Sequence, residues 1–321
     1  MRPETDLSII IVNWNGGETF LRCLRSVVQG ATSCHTEIIV VDNASTDGSP
    51  DAVEREFPEI TLIRNRTNEG FAKANNIGIR RSTGRYVALI NPDVIVTPGS
   101  LDRMLTFMTR HPSIGVLGPQ VLNEDSTLQL SCREFPNLWN SFCRALALDT
   151  MFPSWRLLGG YLMTYWSHDT TRRVDVLSGC FWLIRQQALD TVGLLDEDFF
   201  MYSEDVDFCK RVWRAGWEVV YWPHVKVVHY GGICSSHFPV HFNVAMLQAG
   251  RQYWRKHHGR VARICFWAIS LLHQARRTIQ GAVLYSLRRE QKRNTLTEVK
   301  SSVACFLWLL GSQDRIRIGR S

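Results

Sequence analysis

Six acidic side chains crowd between Asp196 and Asp207, although the chain of 321 residues carries a formal charge of +7. They are Asp196, Glu197, Asp198, Glu204, Asp205 and Asp207, with aromatic residues between them. Neighbouring carboxylates repel one another, so such a cluster persists either as a solvated surface or because metal binding or proton transfer requires it. The stretch therefore predicts a site for acid–base or metal chemistry, with a solvated surface as the alternative.

Three polar turns form a second group of candidates. They begin at Asn13, Asp42 and Asn91, and each follows a short apolar run. The carboxylates of Asp42 and Asp93 could together bind a nucleotide and its cation. The alternative is structural, since Asp42 could close an Asx turn that caps the next helix, and Asn91-Pro92-Asp93 could be a simple turn.

Alternating strands and helices must position these turns. The predicted strands are 7–12, 37–41, 60–63 and 86–90, and the predicted helices are 19–28, 51–57 and 71–81. Strands this uniformly apolar indicate burial on both faces, and the alternation indicates an α/β fold with a parallel sheet. Ligands bind such sheets at the carboxyl ends of the strands, so we expect the turns to share one crevice. No GxGxxG or P-loop motif follows the first strand, which argues against dinucleotide-binding and P-loop enzymes.

The composition is globular, and the charge is unevenly placed. Apolar residues make up 45% of the chain, and nine cysteines without a CxxC pair argue against a disulfide framework or a thiolate zinc site. Residues 241–321 hold 15 Lys and Arg against 3 Asp and Glu, so this tail carries +12 and the rest carries −5. No secretion signal is recognised at the start, so we expect the site to face the cytosol.

The basic tail contains two apolar segments, 261–272 and 301–310. Both are shorter than the roughly 20 residues of a membrane-spanning helix. Arginines flank the first segment, which predicts an extension that lies on a membrane surface. The alternative is that both segments pack on the main domain or on a partner subunit. The tail has no nucleic-acid-binding motif, so we predict no nucleic-acid partner.

The chain resembles the family-2 glycosyltransferases, in particular their bacterial rhamnosyltransferase-like branch. The motifs that carry the resemblance are SIIIVNWNG, VVDNASTDGS, NEGFAKANNIGIR, ALINPDVIV and SGCFWLIRQQAL, followed by FFMYSEDVDFCKRVWRAGW and HYGG. They occur in the order of the family over about residues 7–232. The resemblance implies a GT-A fold, a nucleotide-diphosphate sugar donor and transfer with inversion at the anomeric carbon.

The resemblance also suggests domain boundaries. Residues 1–240 would form the GT-A domain, with a donor half at about 1–125 and an acceptor half at about 126–240. Residues 241–321 would form a basic, mainly helical extension. The aromatic stretch 128–173 shows few helix or strand signals, so we expect an acceptor-side flap there.

By this resemblance the polar turns bind the donor. The implied donor-binding residues are Asn13, Asn15, Asp42, Asn68, Gly70, Asn75, Asn91 and Asp93. Asp42 would meet the nucleobase or ribose. Asp93 matches the last acid of the family's metal-binding Asp-x-Asp signature, whereas Asn91 replaces the first acid. Mg²⁺ or Mn²⁺ is the implied cofactor, and one aspartate can suffice because the phosphates supply further oxygen ligands. His229 would complete the metal site or serve as a structural histidine in a turn.

The acidic cluster corresponds to the Glu-Asp pair of the family. Asp205 would be the base that takes the proton from the acceptor hydroxyl, and Glu204 would position the acceptor. Asp207 is instead expected to pair with Lys210 or Arg211 on a helix surface. The segment with Gly179 and Trp182 is implied to line the acceptor side.

The predicted function is transfer of a sugar, with rhamnose as the expected one, to a lipid-linked or polysaccharide acceptor of cell-surface glycan synthesis. The expected location is peripheral, on the cytoplasmic face of the plasma membrane. Two alternatives belong to other classes: a catalytically silent donor-binding scaffold, and a sugar nucleotidyltransferase. The second would be expected to carry a basic, Gly-rich phosphate loop, and residues 13–17 contain no Lys or Arg.

Overall fold

The computed structural model describes residues 5–30, 33–231, 239–287 and 292–311. The chain divides into two compact units. The sheet unit comprises residues Met1–Arg133, Ser167–Phe200 and Glu204–Cys234, and the helical unit comprises Glu134–Trp166, Met201–Ser203 and Ser235–Ser321. The boundary predicted near residue 240 stays a prediction. Gly232 of the HYGG motif and the last ten residues of the predicted extension lie outside the described residues.

The sheet unit contains all eleven strands found in the described residues. They are β1 Leu7–Asn13, β2 Thr36–Asp42, β3 Thr61–Arg64, β4 Tyr86–Ile90, β5 Val94–Val96, β6 Ile114–Leu122, β7 Cys132–Arg133, β8 Arg172–Arg173, β9 Val176–Leu177, β10 Phe181–Arg185 and β11 Glu218–His229. Nine form one sheet in the order β3-β2-β1-β4-β10-β6-β11-β5, with β8 paired to β11, and β7 pairs with β9. The four predicted strands are confirmed as the parallel β1 to β4.

Helices connect the strands of the sheet unit. In the sheet unit they are α1 Gly17–Gln29, α2 Ser49–Glu56, α3 Phe71–Arg81, α4 Ser100–Arg110, α8 Gln186–Val192 and α9 Glu204–Arg214. The first three confirm the predicted helices, with ends that differ by at most two residues. Apolar faces of α1 and α4 pack on the sheet, where β1 and β4 are buried at every position. Burial of each Ile or Val contributes about 1.5–3 kcal/mol, which explains why these runs form the core.

Two antiparallel strands complete the part of the sheet that carries the site. β10 lies between β4 and β6 and is antiparallel to both. β5 is antiparallel to the end of β11, and the register places Val94 opposite His229. The sequence predicted neither pairing, because both join segments far apart in the chain.

The helical unit contains the remaining helices, α5 Leu138–Ala145, α6 Leu148–Met151, α7 Arg156–Gly159, α10 Pro239–His257, α11 Arg260–Leu287 and α12 Lys292–Leu309. Three short helices, of eight, four and four residues, therefore lie within the stretch 128–173, in which few helix signals were recognised. A capping box explains the start of α5, since the side chains of Asn137 and Asn140 each bond to the other's backbone N–H. Among the described helices, none is both long and apolar enough to cross a membrane.

Candidate active site

The first corner of the candidate site is built on the ends of β1 and β2. Asn13 and Asp42 are paired in the register of these strands, and Asn13 Nδ2 donates to Asp42 Oδ1 at 3.0 Å. Asp42 Oδ2 accepts from the backbone N–H of Ser45 at 3.0 Å, which is the Asx turn of the structural alternative. Both side chains are buried. The pair therefore holds the two turns together at the carboxyl edge of the sheet.

The next turn residue, Asn15, extends this link. Its φ is +51°, and its Oδ1 accepts from the backbone N–H of Thr46 at 2.7 Å. Its own backbone N–H donates to Ser45 Oγ at 2.9 Å. Asn15 is exposed, so it lies at the outer surface of the first corner, above the buried pair of Asn13 and Asp42.

Sequence reasoning missed Asn43, which connects the second predicted turn to the NEGF turn. Asn43 Nδ2 donates to Asn68 Oδ1 at 2.8 Å, and Asn43 Oδ1 accepts from the backbone N–H of Glu69 at 2.9 Å. Asn68 Oδ1 also accepts from the backbone N–H of Gly70 at 3.0 Å. The only signal in the sequence was its place directly after Asp42, in VVDNAS.

Position 70 requires a glycine, both for its backbone conformation and for the close approach of a neighbouring chain segment. Its φ is +82°, and a Cβ there would overlap the carbonyl oxygen of Phe200. That oxygen accepts from the backbone N–H of Phe71 at 2.7 Å. Asn75, in contrast, is buried within α3 and donates to Phe71 O at 2.9 Å. The structure thus places Gly70 at a close chain crossing and Asn75 in the helix behind it.

Asp93 and His229 form the second corner. The β5–β11 pairing brings His229 Nε2 to 3.1 Å from Asp93 Oδ1, and His229 Nδ1 lies 2.6 Å from Gln129 Oε1. Gln129 Nε2 donates to Asn123 Oδ1, which fixes the amide so that its oxygen faces the ring. Because that oxygen only accepts, we assign a proton to Nδ1. In the neutral ring the Nε2 lone pair then faces the carboxylate of Asp93. A proton or a cation between these two atoms would stabilise the arrangement.

Asn91 supplies a further oxygen at this corner. Its Oδ1 is buried and has no hydrogen-bond partner among the described residues, while its Nδ2 lies 3.5 Å from His229 Nε2. Orphaned buried acceptors are rare, and an oxygen of this kind fits a Mg²⁺ or Mn²⁺ ligand set. In the described part of the chain no three His, Cys, Asp or Glu side chains group as a metal site. Asp93, His229 and Asn91 therefore offer only part of a coordination shell.

The third corner is the first turn of α9, where Asp205 has partners on both oxygens. Oδ2 lies 3.1 Å from Nη1 of Arg133, and Oδ1 accepts from the backbone N–H of Val206 at 2.8 Å. Arg133 belongs to the short strand β7 and is only partly exposed. Sequence reasoning missed this arginine, because its partner lies far along the chain and no motif marks it.

Glu204 has the opposite environment. Its side chain is buried, and Oε2 has no hydrogen-bond partner within the described residues. Burial, and then the charge of Asp205, raise the pKa of Glu204 to about 8. At neutral pH Glu204 is therefore mostly protonated, and it lies beside the carboxyl of Asp205 that pairs with Arg133. Two adjacent acids thus lie in different environments, and such a difference separates the roles of paired carboxyls in acid–base sites.

The two residues implied for the acceptor side lie in different environments. A Cβ at Gly179 would be 3.6 Å from Asp205 Cβ, so the glycine lies directly against the third corner. Trp182 is 0% exposed and stacks on Phe208, with ring centroids 5.5 Å apart. The structure does not bring this indole to a surface, since β10 turns it into the core. Trp182 packs the sheet, and its burial does not support the implied place on the acceptor side.

Backbone bonds join the second and third corners. Asn91 N–H donates to Cys180 O at 2.9 Å, and Ser178 N–H donates to Ser131 O at 2.7 Å. The segment 178–180 therefore spans from the Asn91 turn to the strand that carries Arg133. Asp207 accepts from Arg211 Nε at 2.8 Å, which is the expected i,i+4 pair, but Asp207 is fully buried, so the expected place on a helix surface is wrong. The sheet unit thus gathers amides, a His–Asp pair and two carboxyls along one edge.

Solved structures of similar fold support the predicted GT-A architecture. The mannosyltransferase PcManGT from Pyrobaculum calidifontis, solved with GDP-Man and Mn²⁺, aligns with a TM-score of 0.58 over 98% of this chain and 89% of that chain, at 16% identity. TarS 1-349 of S. aureus in complex with UDP aligns with a TM-score of 0.52 over 96% of this chain and 92% of that chain, at 13% identity. At these identities the likeness confirms the fold.

Sequence comparison identifies the family. The model of glycosyl transferase family 2 matches residues 8–193, which include Asp42 and Asp93 and end before Glu204. The N-acetylglucosaminyl-diphospho-decaprenol L-rhamnosyltransferase of Mycobacterium tuberculosis is 32% identical over 251 residues, 73% of this chain and 81% of the relative. The family match spans more than half of the sequence and this relative exceeds 30% identity, so the chain belongs to glycosyl transferase family 2.

Proposed function

We propose that this glycosyltransferase moves a sugar from a nucleotide-diphosphate donor to a lipid-linked acceptor, with inversion, and that Asp205 is the catalytic base. The observation that carries the proposal is the pairing of Asp205 with Arg133 beside a buried, protonated Glu204. A base must be ionised before it can accept a proton, and of the two carboxyls Asp205 is the one that forms an ion pair within the described residues. Glu204, being protonated, is available to donate a hydrogen bond to the acceptor.

The proposed step conserves atoms and charge. The acceptor hydroxyl gives its proton to Asp205 as its oxygen forms a bond to the anomeric carbon. The bond between that carbon and the phosphate oxygen breaks on the opposite face, and the nucleoside diphosphate leaves with the electron pair. Attack opposite the leaving group inverts the configuration.

We propose the first corner as the donor platform, with Asn15, Asn68 and Gly70 at its surface and Asn13, Asp42 and Asn75 supporting it. Asp93, Asn91 and His229 would hold a divalent cation together with oxygens of the donor diphosphate. Bound there, Mg²⁺ or Mn²⁺ offsets the negative charge that develops on the leaving group. Asn91 Oδ1, which has no partner in the described part of the chain, supports this assignment.

We infer the acceptor class from the mycobacterial relative, whose name gives a diphospho-decaprenol acceptor and L-rhamnose as the sugar. A lipid-linked acceptor and rhamnose are therefore our proposals for this chain. A lipid acceptor also explains the +12 tail, because anionic diphosphate lipids and membrane surfaces attract basic segments. We accordingly propose a peripheral location on the cytoplasmic face of the membrane, with Gly179 on the acceptor side of the site.

The test is nucleoside diphosphate release from a panel of nucleotide sugars, with Mg²⁺ or Mn²⁺ and lipid-linked acceptors, for the natural chain and for Asp205→Asn. We expect release with one donor and a loss of about 10²- to 10⁴-fold in the variant, as for removal of a general base. Asp190→Asn, an exposed acid on α8, is the matched control and should retain turnover.

Three outcomes would contradict the proposal. Unchanged release by Asp205→Asn would assign the proton transfer to another group. Release of free diphosphate would indicate a nucleotidyltransferase, and donor binding without any release, given a competent acceptor, would indicate a scaffold. The anomeric configuration of the product, read by NMR, tests inversion separately.

A further inference from the structure

A cleft within the helical unit has no part in the proposed transfer. It lies between α10, α11 and α12 and encloses about 590 Å³, within the usual range for a small-molecule site. We name it the arginine cleft after the side chains that line it together with aromatic residues. They are Arg251, Trp254, Arg255, Arg260, Arg263 and Trp308.

The four arginines leave positive charge uncompensated. Arg251 and Arg255 are one turn apart on α10, and Arg260 and Arg263 lie in the first turn of α11, where the helix dipole adds to their charge. None of the four forms an ion pair within the described residues. The described parts of α10, α11 and α12 contain one carboxylate, Glu298. The cleft therefore favours an anion.

Apart from the arginines, the cleft is lined by apolar and aromatic side chains and by Gln248, Gln252 and Ser270. Trp254 is buried and stacks on Phe266, with centroids 4.7 Å apart and planes 11° from parallel. Arg251 lies over the ring of the buried Trp308, 5.6 Å from its centroid. Ile264, which lines the cleft, is 56% exposed, and Val261, three residues before it on α11, is 76% exposed. A ligand that covered this surface would need an apolar part next to its negative charge.

We propose that the arginine cleft binds the phosphate of an anionic lipid headgroup at the membrane surface, with Val261 and Ile264 contacting the acyl region. A free phosphate would satisfy the arginines but would leave these two side chains in water. A nucleic acid would leave them in water as well, since its phosphates are flanked by polar sugars. An anionic lipid is the ligand that matches the charge and these exposed apolar side chains together.

This inference deepens the proposed membrane association and rests on it, but not on catalysis. The experiment is therefore sedimentation of the full-length chain with vesicles, without donor or turnover. Vesicles of phosphatidylcholine with added phosphatidylglycerol are compared with pure phosphatidylcholine. The cleft variant is Arg255→Gln with Arg263→Gln. Its control is Arg81→Gln with Arg110→Gln. Both arginines are exposed in the sheet unit, and their substitution removes the same net charge.

We expect the natural chain to sediment only with the anionic vesicles. The cleft variant should bind about tenfold more weakly or worse, because each arginine near a charged surface contributes to the attraction. The control variant should bind within about twofold of the natural chain, since its charges lie outside the cleft. Ile264→Ser, which keeps every charge, should also weaken binding, by several-fold. Circular dichroism and thermal unfolding confirm that each variant is folded.

Other results would overturn the proposal. Equal losses in the two double variants would show binding by overall charge, and equal sedimentation with pure phosphatidylcholine would show that the headgroup is not recognised. If inorganic phosphate stabilises the natural chain but not the cleft variant, and no vesicle binds, the site takes a soluble anion. If a single-stranded oligonucleotide binds and anionic vesicles do not, the occupant is a nucleic acid. In each of these cases nucleoside diphosphate release would be unaffected, which separates this failure from failure of the proposed function.

Discussion

The sheet unit and the helical unit expose opposite kinds of surface. Among the described residues, every large apolar side chain that is exposed belongs to the helical unit, from Trp139 to Leu310. In the sheet unit such side chains are covered, and the polar residues of the candidate site bond to one another. The sheet unit thus covers its large apolar side chains, whereas the helical unit presents apolar and cationic surface of the kind that a further partner covers.

The largest effect is expected at Gly70, where neighbouring atoms of the sheet unit leave no room for a Cβ. Gly70→Ala places a Cβ against Phe200 O at a φ of +82°, and should lower the free energy of unfolding by about 3 kcal/mol. Gly99→Ala is the control, because its φ is similar, +73°, and its surroundings are open, so only about 1 kcal/mol of strain is expected. Urea unfolding measures both. Equal losses would show that close packing at Gly70 contributes nothing.

The pairing of Arg133 with Asp205 should matter next. Arg133→Met removes the charge that faces the proposed base, and kcat should fall by about 10- to 100-fold with little change in KM for the donor, since hydrogen bonds to charged groups contribute about 1.5–3 kcal/mol. Arg133→Lys keeps the charge and should recover part of the rate. Arg173→Met, which breaks an exposed pair with Glu218, should change kcat less than about twofold. A fall in stability with no fall in kcat would make Arg133 purely structural.

The raised pKa of Glu204 predicts that the free energy of unfolding depends on pH. Its folded-state pKa of about 8 lies above the ordinary 4.5, so as pH rises through this window the unfolded chain loses the proton while the folded chain keeps it. The folded state should therefore lose stability between about pH 4.5 and 8 and change little from this group above pH 8. Glu204→Gln should flatten that decline, moving Tm at pH 8 by roughly 5 °C relative to pH 5. Parallel curves for the two proteins would show that Glu204 is ionised in the folded state.

The smallest effect is expected on the exposed surface of the helical unit. Leu157 is 62% exposed, so Leu157→Ser should change the free energy of unfolding by less than about 0.5 kcal/mol. Leu183→Ser, at a fully buried position of β10, is the matched control and should be strongly destabilising. A large loss at Leu157 would mean that this surface is covered within the protein.

The sequence predicted the elements that local pattern determines. The positions of β1 to β4 and of α1 to α3 agree with the apolar runs and turn residues of the sequence. β1 and β4 are buried at every position and β2 along its second half, whereas β3, at the edge of the sheet, is only partly buried. The family, the GT-A fold and the i,i+4 pair of Asp207 with Arg211 are likewise confirmed.

The features that were missed depend on contacts between distant segments. β10 enters between β4 and β6, and Arg133 meets Asp205, through pairings that no local spacing encodes. The three short helices after β7 contain too few residues for a clear helical period. The first turn of α5 also depends on two asparagine side chains, those of the capping box. Trp182 was assigned by resemblance to the acceptor side, whereas the alternation of β10 places its ring in the core. The catalytic and metal roles of the site residues stay predictions.

The position of β10 also has a consequence for synthesis of the protein on the ribosome. β4 is paired on one side with β1, and its other side is completed only by β10, which emerges about 90 residues later. At roughly 5–20 residues per second, translation leaves that edge open for about 5–20 s. During this interval an entirely apolar strand presents unpaired N–H and C=O groups, the kind of edge that other chains can join. The rate of translation across residues 91–181 therefore sets how long each nascent chain must be protected from its neighbours.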